Sequence, residues 1–228
     1  EDQFISIYEN KCGDHEMIKF VPASGAATRM VQHLFEFIEN YTGTDREIQD
    51  LNTDQSFNSV CYFLQHLKSF AFYDDLEEIM KNNGRNLKTL LSEKKYTEII
   101  EWLLTEKGLN YSNLPKGLLR FHKYKDHSRP AIEEHLVESA FYCRNSDDTV
   151  SIHFTVSPEH LEDFKTSVNE VKTQYEKEFG IRYIIDYSIQ KSSTDTIAVD
   201  LKNKPFRNDD GSILFRPGGH GALIVNLK

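Results

Sequence analysis

The sequence predicts an α/β protein, with a largely parallel sheet between layers of helices and one inserted block that is entirely helical. Two observations predict the sheet, since short β-branched runs recur in the second half of the chain and amphipathic helical stretches alternate with them. A third observation predicts the insertion, because residues 42–109 show helical spacing and little sign of a strand. We therefore expect residues 1–41 and 110–228 to form one α/β domain around a helical insertion at 42–109.

The first predicted βα unit begins near residue 17. A β-rich run at about 17–22 ends at a proline, and apolar residues at helical spacing follow, namely Met30, Leu34, Phe37, Ile38 and Tyr41. Residues 42–54 are polar and are predicted to form a connection. Further helical patterns lie around 60–67, 76–80 and 99–104, and Asn82-Asn83-Gly84 separates the second pattern from the third.

The segment from residue 110 alternates helices with strands. A turn is predicted at 113–117 and a helix at 131–142. Ser157 and Pro158 are typical of the start of a second helix, and Gly180 is typical of its end. Strands are predicted at 149–156, 181–189, 196–199 and 213–215.

Charge and composition exclude several classes of protein. The chain has 27 Lys and Arg against 36 Asp and Glu, and its formal net charge of −9 argues against a partner that is duplex nucleic acid. No apolar run approaches the ~20 residues of a membrane span, and the N-terminus does not resemble a signal peptide. The cysteines Cys12, Cys61 and Cys143 form neither a disulfide framework nor a metal-ligand spacing, which predicts a cytoplasmic location. The apolar segment at 221–228 begins a pattern that stops with the chain, so we expect a longer protein.

The stretch KFVPASGAATRM, residues 19–30, joins the first strand to a helix through very small residues. In open α/β sheets, ligands bind beyond the carboxyl ends of the strands. Small residues let backbone N–H groups approach a phosphate, and the N-terminus of the following helix adds partial positive charge. Thr28 is expected either to cap that helix or to bind a phosphate oxygen, and Arg29 to neutralise developing charge. The alternative is that the small residues pack a tight turn while Arg29 is solvated.

Two further loops have the composition of ligand-binding loops. In LPKGLLRF, residues 114–121, Lys116 can reach a phosphate as a point charge, although a turn of this kind is more commonly a surface feature. In LFRPGGHGALI, residues 214–224, Gly218, Gly219 and Gly221 would admit a flat base or a sugar against bare backbone. Three glycines and a histidine in four positions are hard to explain as a simple turn.

Together the three loops resemble those of sugar nucleotidyltransferases. VPASGAATRM is similar to the Gly-rich signature that follows the first strand in these enzymes, and PKGLL at 115–119 is similar to their Pro-Lys-x-Leu-Leu segment. RPGGHGALI at 216–224 resembles the Pro-Gly-Gly-His-Gly loop of UDP-sugar pyrophosphorylases. The pattern resembles above all a bacterial family, domain of unknown function 4301, of pyrophosphorylase-like character. The resemblance covers most of 17–40 and 110–228.

The resemblance implies a three-layer nucleotide-diphospho-sugar transferase-like (Rossmann-like) fold with a mixed, mostly parallel sheet. It implies attack of a sugar 1-phosphate on the α-phosphorus of a nucleoside triphosphate, with release of pyrophosphate and with Mg²⁺ as cofactor. Arg29 and Lys116 would be catalytic by offsetting phosphate charge, and Gln190 would face the base of the bound nucleoside triphosphate or nucleotide sugar. The implied nucleotide-binding residues are Ala23, Ser24, Gly25, Ala26, Ala27, Thr28, Gln190, Gly218, Gly219, His220 and Gly221.

Departures from the family pattern leave other functions open. Ala23, Ala26 and Ala27 stand where relatives often have glycine, and each methyl group narrows the approach to a phosphate. The helical block separates Arg29 from Lys116, and the Mg²⁺-binding aspartate of the family is expected beyond residue 228. The alternatives are a non-catalytic nucleotide-binding or interaction module, and a glycosyltransferase of the same fold. The Asp-x-Asp motif typical of the latter is not found in the sequence.

The other candidate side chains form no specific pattern. The pairs His122/His127 and His153/His160 do not match the spacing of a recognised metal-ligand set. Trp102 fits the apolar stripe of its predicted helix, and we expect it to be a core residue rather than a stacking platform.

Overall fold

A computed structural model describes residues 1–25 and 27–227, with the exception of the side chains of Arg29, Asp45 and His220. About half of the residues lie in α- or 3-10 helices. The chain divides into two compact units. The first, Glu1–Gly25 with Ile132–Lys228, is called the sheet unit below, and the second, Ala26–Ala131, is called the helical unit.

The secondary structure elements alternate along the chain as follows. The α-helices are α1 (Asp2–Lys11), α2 (Gln32–Asn40), α3 (Asp45–Thr53), α4 (Val60–Gln65), α5 (Tyr73–Asn82), α6 (Leu87–Ser92), α7 (Tyr96–Leu104), α8 (Ala131–Tyr142) and α9 (Leu161–Phe179). The strands are β1 (Ile18–Pro22), β2 (Arg120–Lys123), β3 (Ser128–Pro130), β4 (Thr149–Val156), β5 (Arg182–Ile189), β6 (Thr196–Ile197) and β7 (Phe215–Arg216). Short 3-10 helices cover Cys12–Asp14, Thr28–Met30, Leu67–Ser69, Lys116–Leu118, Pro158–His160, Ser192–Thr194 and His220–Leu227.

The sheet unit is built on a parallel three-stranded sheet in the order β1-β4-β5. The central strand β4 is buried along nearly its whole length, which is typical of parallel sheets and explains its almost continuous apolar and β-branched sequence. α8 and α9 pack on one face of the sheet, where the ring of Phe154 lies 6.1 Å from that of Phe164. On the same face the Tyr183 hydroxyl donates a hydrogen bond of 2.8 Å to the Leu136 carbonyl. An α/β fold with a mostly parallel sheet is therefore confirmed, whereas three strands do not by themselves define a three-layer nucleotidyltransferase-like arrangement.

The boundaries of α9 follow from its end residues. Pro158 begins a 3-10 turn that leads into the helix, where a missing N–H has no cost. Gly180 ends the helix with φ +64°, a left-handed conformation that glycine adopts without steric penalty. The end of α9 lies where the sequence predicts it, whereas the α-helix begins at Leu161 rather than at Pro158, and Ser157 makes no side-chain cap bond.

The helical unit contains α2 to α7 and a small antiparallel hairpin, β2-β3. Its core is one apolar cluster that includes Leu76, Ile100 and Leu104, all fully buried. Trp102, 4% exposed, belongs to this cluster, so the prediction that it is a core residue is confirmed. Val31, the N-cap residue of α2, and Leu34, in its first turn, pack into the same cluster. Because these two residues pack into the helical cluster, the first boundary between the units falls after residue 25 and not at 41. The second boundary falls at residue 131 and not at 109.

Three α-helices lie where none was predicted, namely α1 at the N-terminus, α3 and α6. Residues 42–54, predicted as a connection, contain α3, which a capping box stabilises: Glu47 N–H donates to Thr44 Oγ1 at 3.3 Å, and Thr44 N–H donates to Glu47 Oε2 at 2.9 Å. α6 lies between the second and third predicted patterns, with Asn86 as its N-cap. The sequence signal for α3 and for α6 is a polar N-cap residue, and a search for apolar periodicity does not detect such a residue.

The predicted strands at 196–199 and 213–215 correspond to the two-residue strands β6 and β7, and β7 overlaps its predicted range only at Phe215. They pair with each other in antiparallel fashion and do not extend the parallel sheet. None of the described helices is both long and apolar enough to cross a membrane.

Candidate functional site

The candidate site lies at the carboxyl edge of the parallel sheet. Since β1, β4 and β5 run in the same direction, the residues that follow each strand come to one edge. Ala23 N–H donates to Thr155 O at 2.8 Å, and Gln190 N–H donates to Val156 O at 3.2 Å. These two bonds attach the loops after β1 and β5 to the end of the central strand.

The side chain of Gln190 connects three of the predicted site segments. Ser24 Oγ donates to Gln190 Oε1 at 2.7 Å, and Gln190 Nε2 donates to Gly218 O at 3.0 Å. Gln190 is only 8% exposed, and both hydrogen bonds are partly buried. The loop after β1, the end of β5 and the glycine-rich loop are therefore joined by one carboxamide, called the Gln190 brace below.

The two loops held by the brace present unused backbone donors. Among the described residues, the N–H groups of Ser24, Gly25, Gly218 and Gly219 donate no hydrogen bond to another backbone group. Gly25 and Gly219 are exposed, and Ser24 and Gly218 are partly exposed. Successive backbone N–H groups in loops of this kind can form anion-binding concavities.

The glycines of these loops fall into two classes. A Cβ atom at Gly218 would lie 2.5 Å from Thr194 O and 2.9 Å from Ala222 Cβ, so packing inside the chain requires glycine there. A Cβ atom at Gly25, Gly219 or Gly221 would meet no described atom within 4 Å. None of these three has a positive φ either, so neither packing nor backbone conformation within the described chain explains them.

A layer of polar side chains lies behind the brace, on the sheet face opposite α8 and α9. Ser188 Oγ lies 2.8 Å from His153 Nε2 and 3.1 Å from Thr155 Oγ1, and it accepts a 3.0 Å hydrogen bond from Asn226 Nδ2. Asn226 Nδ2 also donates to Ile189 O at 3.0 Å, which fixes the 3-10 helix His220–Leu227 to β5. Among the described atoms, Asn226 Oδ1 is buried without a hydrogen-bond partner.

The sequence interpretation missed this polar layer. One signal was present, because Ser151, His153 and Thr155 alternate with apolar residues in TVSIHFTV and therefore share one face of β4. On the opposite face, Tyr187 stacks on Phe154 with ring centroids 5.9 Å apart, and burial raises the pKa of Tyr187 to about 12. Tyr187 is therefore neutral at physiological pH and acts as a packing residue.

Except for His220, the remaining predicted site residues belong to the helical unit. Ala27 is fully buried in the helical core. Thr28 is exposed and begins a 3-10 helix, and it does not cap α2, which starts after Val31 without a side-chain cap. Lys116 is exposed and begins the 3-10 helix Lys116–Leu118. Ala26 lies outside the described residues, as do the side chains of Arg29 and His220.

The expected Mg²⁺ has no identifiable ligand set. Within the described residues, no group of three or more His, Cys, Asp and Glu side chains is arranged to hold a metal ion. The residues present therefore do not fit a preformed metal site, and we assign no ligand to Mg²⁺.

Comparisons with known proteins give one match. The model of a protein family described as "Domain of unknown function (DUF4301)" matches residues 1–228. No curated protein and no solved structure shows significant similarity to the chain.

Proposed function

The chain belongs to the DUF4301 family, and we propose that its sheet unit binds a nucleotide at the carboxyl edge of the sheet to serve sugar-1-phosphate nucleotidyl transfer. The observation that carries this proposal is the pair of open glycine loops, at Gly25 and at Gly219 and Gly221, joined by the Gln190 brace. Glycine at positions where the chain itself leaves room for a side chain is expected where a ligand approaches the backbone.

Phosphate recognition is assigned to the free N–H groups of Ser24, Gly25, Gly218 and Gly219. Hydrogen bonds from backbone N–H groups to an anionic oxygen are charge-assisted and about twice as strong as neutral ones. The brace fixes both loops before a ligand arrives, so little ordering accompanies binding. Lys191 directly follows Gln190 and Arg216 precedes Gly218 by two residues, so exposed cations adjoin the brace residue and the glycine-rich loop in the sequence.

Base recognition is assigned to Gln190. Its Oε1 atom has two lone pairs and its Nε2 atom has two N–H groups, and the brace uses one of each. One acceptor position and one donor position are left for the edge of a base. Gln190 then serves both as the brace and as the base-facing residue that the resemblance implies.

In the proposed reaction, a phosphate oxygen of a sugar 1-phosphate forms a bond to the α-phosphorus of a nucleoside triphosphate. The bond from that phosphorus to the bridging oxygen of the β-phosphate breaks, and pyrophosphate leaves. Such a transfer depends on positioning and on stabilisation of charge more than on a protein nucleophile. Arg29 and Lys116 are proposed to supply positive charge, on the strength of the resemblance alone.

A non-catalytic nucleotide-binding module is the second candidate. The observation that favours it is the state of the first loop, where the Ala23 N–H is already bonded to Thr155 O and the Ala27 methyl group is buried in the helical core. The Ala23 N–H is thus not free to bind a triphosphate. This candidate predicts nucleotide binding without release of pyrophosphate.

The test is nucleotide binding measured by thermal shift and calorimetry with UTP, ATP, CTP, GTP, dTTP and UDP-sugars. A nucleotide at 100 times its Kd stabilises the fold by about 2.7 kcal/mol. Gly219→Ala places a methyl group in the open loop and is expected to weaken binding at least tenfold, or about 1.4 kcal/mol. Gly13→Ala is the matched control, because Gly13 is also open but lies in the N-terminal 3-10 helix Cys12–Asp14.

Pyrophosphate release, assayed with the preferred nucleotide and a panel of sugar 1-phosphates, separates the two candidates. Release supports the transferase, and binding without release supports the module. If no nucleotide shifts the melting curve, or if Gly13→Ala weakens binding as much as Gly219→Ala, the proposed site is wrong.

A further inference from the structure

The helical unit contains a cavity of about 490 Å³, called the aromatic cavity below. Cavities that bind small molecules typically measure ~300–1,000 Å³ and are mostly apolar. Aromatic side chains dominate its lining, which includes Phe57, Phe63, Phe70, Phe72, Tyr111 and Phe121. Every residue of its lining lies between residues 30 and 123 and therefore belongs to the helical unit.

The inner wall of the aromatic cavity is held in shape by ring contacts. The ring centroids of Phe63 and Phe70 lie 5.2 Å apart, those of Phe70 and Phe72 also 5.2 Å, and those of Phe72 and Tyr111 5.3 Å with edge-to-face geometry. Aromatic pairs at such distances and angles attract one another beyond their burial. The wall is therefore preformed, and an apolar ligand would enter without rearranging it.

The mouth of the cavity exposes apolar rings to solvent. Phe57 is 79% exposed and Phe121 is 42% exposed, although both line the cavity. Phe57 lies 5.3 Å from the ring of Tyr62, which lies 3.9 Å from the ring of His66. A rim of exposed aromatic side chains around an apolar cavity is typical of a binding site.

The charge of the lining has one sign. The whole chain has nine more acidic than basic side chains, yet the described lining includes no Asp or Glu and does include Arg120 and Lys123. Arg120 is already bound, through an ion pair with Asp75 and a hydrogen bond to Ser128 O.

Lys123 is the charged group available to a ligand. Its Nζ donates a 2.6 Å hydrogen bond to the Lys68 carbonyl and lies 5.8 Å from the centroid of the Tyr73 ring. Among the described residues it has no carboxylate partner, and an ammonium group has two further donors. An exposed cation beside an apolar cavity is complementary to an anion attached to an apolar body.

We propose that the aromatic cavity binds a small amphipathic organic acid. Its aliphatic or aromatic body fills the cavity against Phe63, Phe70 and Phe72, and its carboxylate pairs with Lys123 at the rim. The proposal does not rest on the nucleotide site, since every contact named lies in the helical unit.

The first test is calorimetric titration of the full chain with dodecanoate, below its micellar concentration. Dodecyltrimethylammonium has the same alkyl body with the opposite charge, and acetate has the carboxylate alone. We expect one dodecanoate per chain, at least tenfold weaker binding of the cation, and no binding of acetate.

Variants then assign the site. Lys123→Gln should weaken dodecanoate binding about tenfold and should not weaken binding of the cationic analogue, because the repulsion by Lys123 is removed. Lys125→Gln is the matched control, because Lys125 is an exposed neighbour outside the lining. Ser69→Trp fills the cavity from an exposed lining position and should abolish dodecanoate binding, with an unchanged circular dichroism spectrum to show that the chain folds.

Three results would overturn the proposal. Equal binding of dodecanoate and its cationic analogue would show that Lys123 does not pair with the carboxylate. No binding of either compound would show that the aromatic cavity is not a site for such a ligand. A concentration-dependent dimer in analytical ultracentrifugation that Phe57→Ser abolishes would show that a second copy of the chain covers the cavity instead.

Discussion

The two units of the chain build their interiors in opposite ways. Of the buried polar residues described, all except Ser59 lie in the sheet unit, and Ser59 itself serves as the N-cap of α4. Those of the sheet unit include Ser151, Thr155 and Gln190, which lie in or directly after the strands of the parallel sheet. The helical unit has one apolar cluster and an apolar cavity beside it.

This difference shows where structural specificity is required. A buried polar group is costly unless it is hydrogen-bonded, so a set of satisfied polar groups defines one arrangement of the loops around it. In the sheet unit the brace defines such an arrangement at the edge where the nucleotide site is proposed. In the helical unit the core is an apolar cluster, and the hydrophobic effect that stabilises such a cluster is not directional.

The largest expected effect tests whether the two units unfold separately. Phe154 is fully buried in the sheet unit, and Phe154→Ala is expected to cost about 3–5 kcal/mol. Trp102 is the single tryptophan and lies in the helical unit, so its fluorescence reports that unit in urea denaturation. We expect the far-UV circular dichroism transition to begin at lower urea while the Trp102 transition stays in place.

Phe141→Ala is the control for this experiment, because Phe141 is 72% exposed and its loss should change neither transition. If Phe154→Ala shifts the Trp102 transition as much as the dichroism transition, the two units form one cooperative body.

A smaller effect distinguishes the two classes of glycine within the sheet unit. Gly218→Ala adds a methyl group that overlaps Thr194 O and Ala222, and such overpacking costs about 1–3 kcal/mol. Gly219→Ala adds the same group in open space and should change the free energy of unfolding by less than ~0.5 kcal/mol. Thermal unfolding without nucleotide measures both. Equal destabilisation would mean that Gly219 is also a packing residue.

The smallest effect concerns the polar cap of α3 in the helical unit. Hydrogen bonds, first from the Thr44 N–H and then from the Thr42 and Thr44 hydroxyls, lower the pKa of Glu47 to about 2 from its ordinary 4.5. The ionised form is therefore favoured in the folded state, and its contribution is complete above pH 4.5 and is lost as pH falls from 4.5 towards 2. Thr44→Ala should cost about 1 kcal/mol at neutral pH.

Hydrogen exchange of the α3 amides, measured across this pH range, checks the cap. Glu47→Gln should remove the acid dependence, and Thr53→Ala, at the other end of the same helix, is the control. Acid-dependent protection that persists in Glu47→Gln would assign the effect to another carboxylate.

Elements with an uninterrupted periodic pattern could be predicted from the sequence. β4 has the predicted bounds because its β-branched run lies between clear turn residues, and α8 has the predicted bounds because Pro130 precedes it. α3 could not be found in this way, since few of its side chains are apolar and a polar cap stabilises it. β2 and β3 are short and largely exposed, so no buried face imposes a pattern on them.

Part of the candidate site could also be predicted, and the rest depends on long-range contacts. Gly218, Gly219 and Gly221 stand out in the sequence by composition alone, and Gln190 was found through the family resemblance. The bond between Ser24 and Gln190 joins residues 166 positions apart, and the bond between Asn226 and Ser188 joins residues 38 apart. Local sequence patterns do not report pairings at such separations.

The pairing of β1 with β4 determines when the parallel sheet can form during synthesis on the ribosome. Ile18 is in register with Ser151, so β1 has no partner until the helical unit has been translated and β4 has emerged. At ~5–20 residues per second, the first strand waits on the order of ten seconds with its edge unprotected. The charged residue Lys19 within β1 is then an advantage, since charge on an unpaired strand edge discourages association between nascent chains.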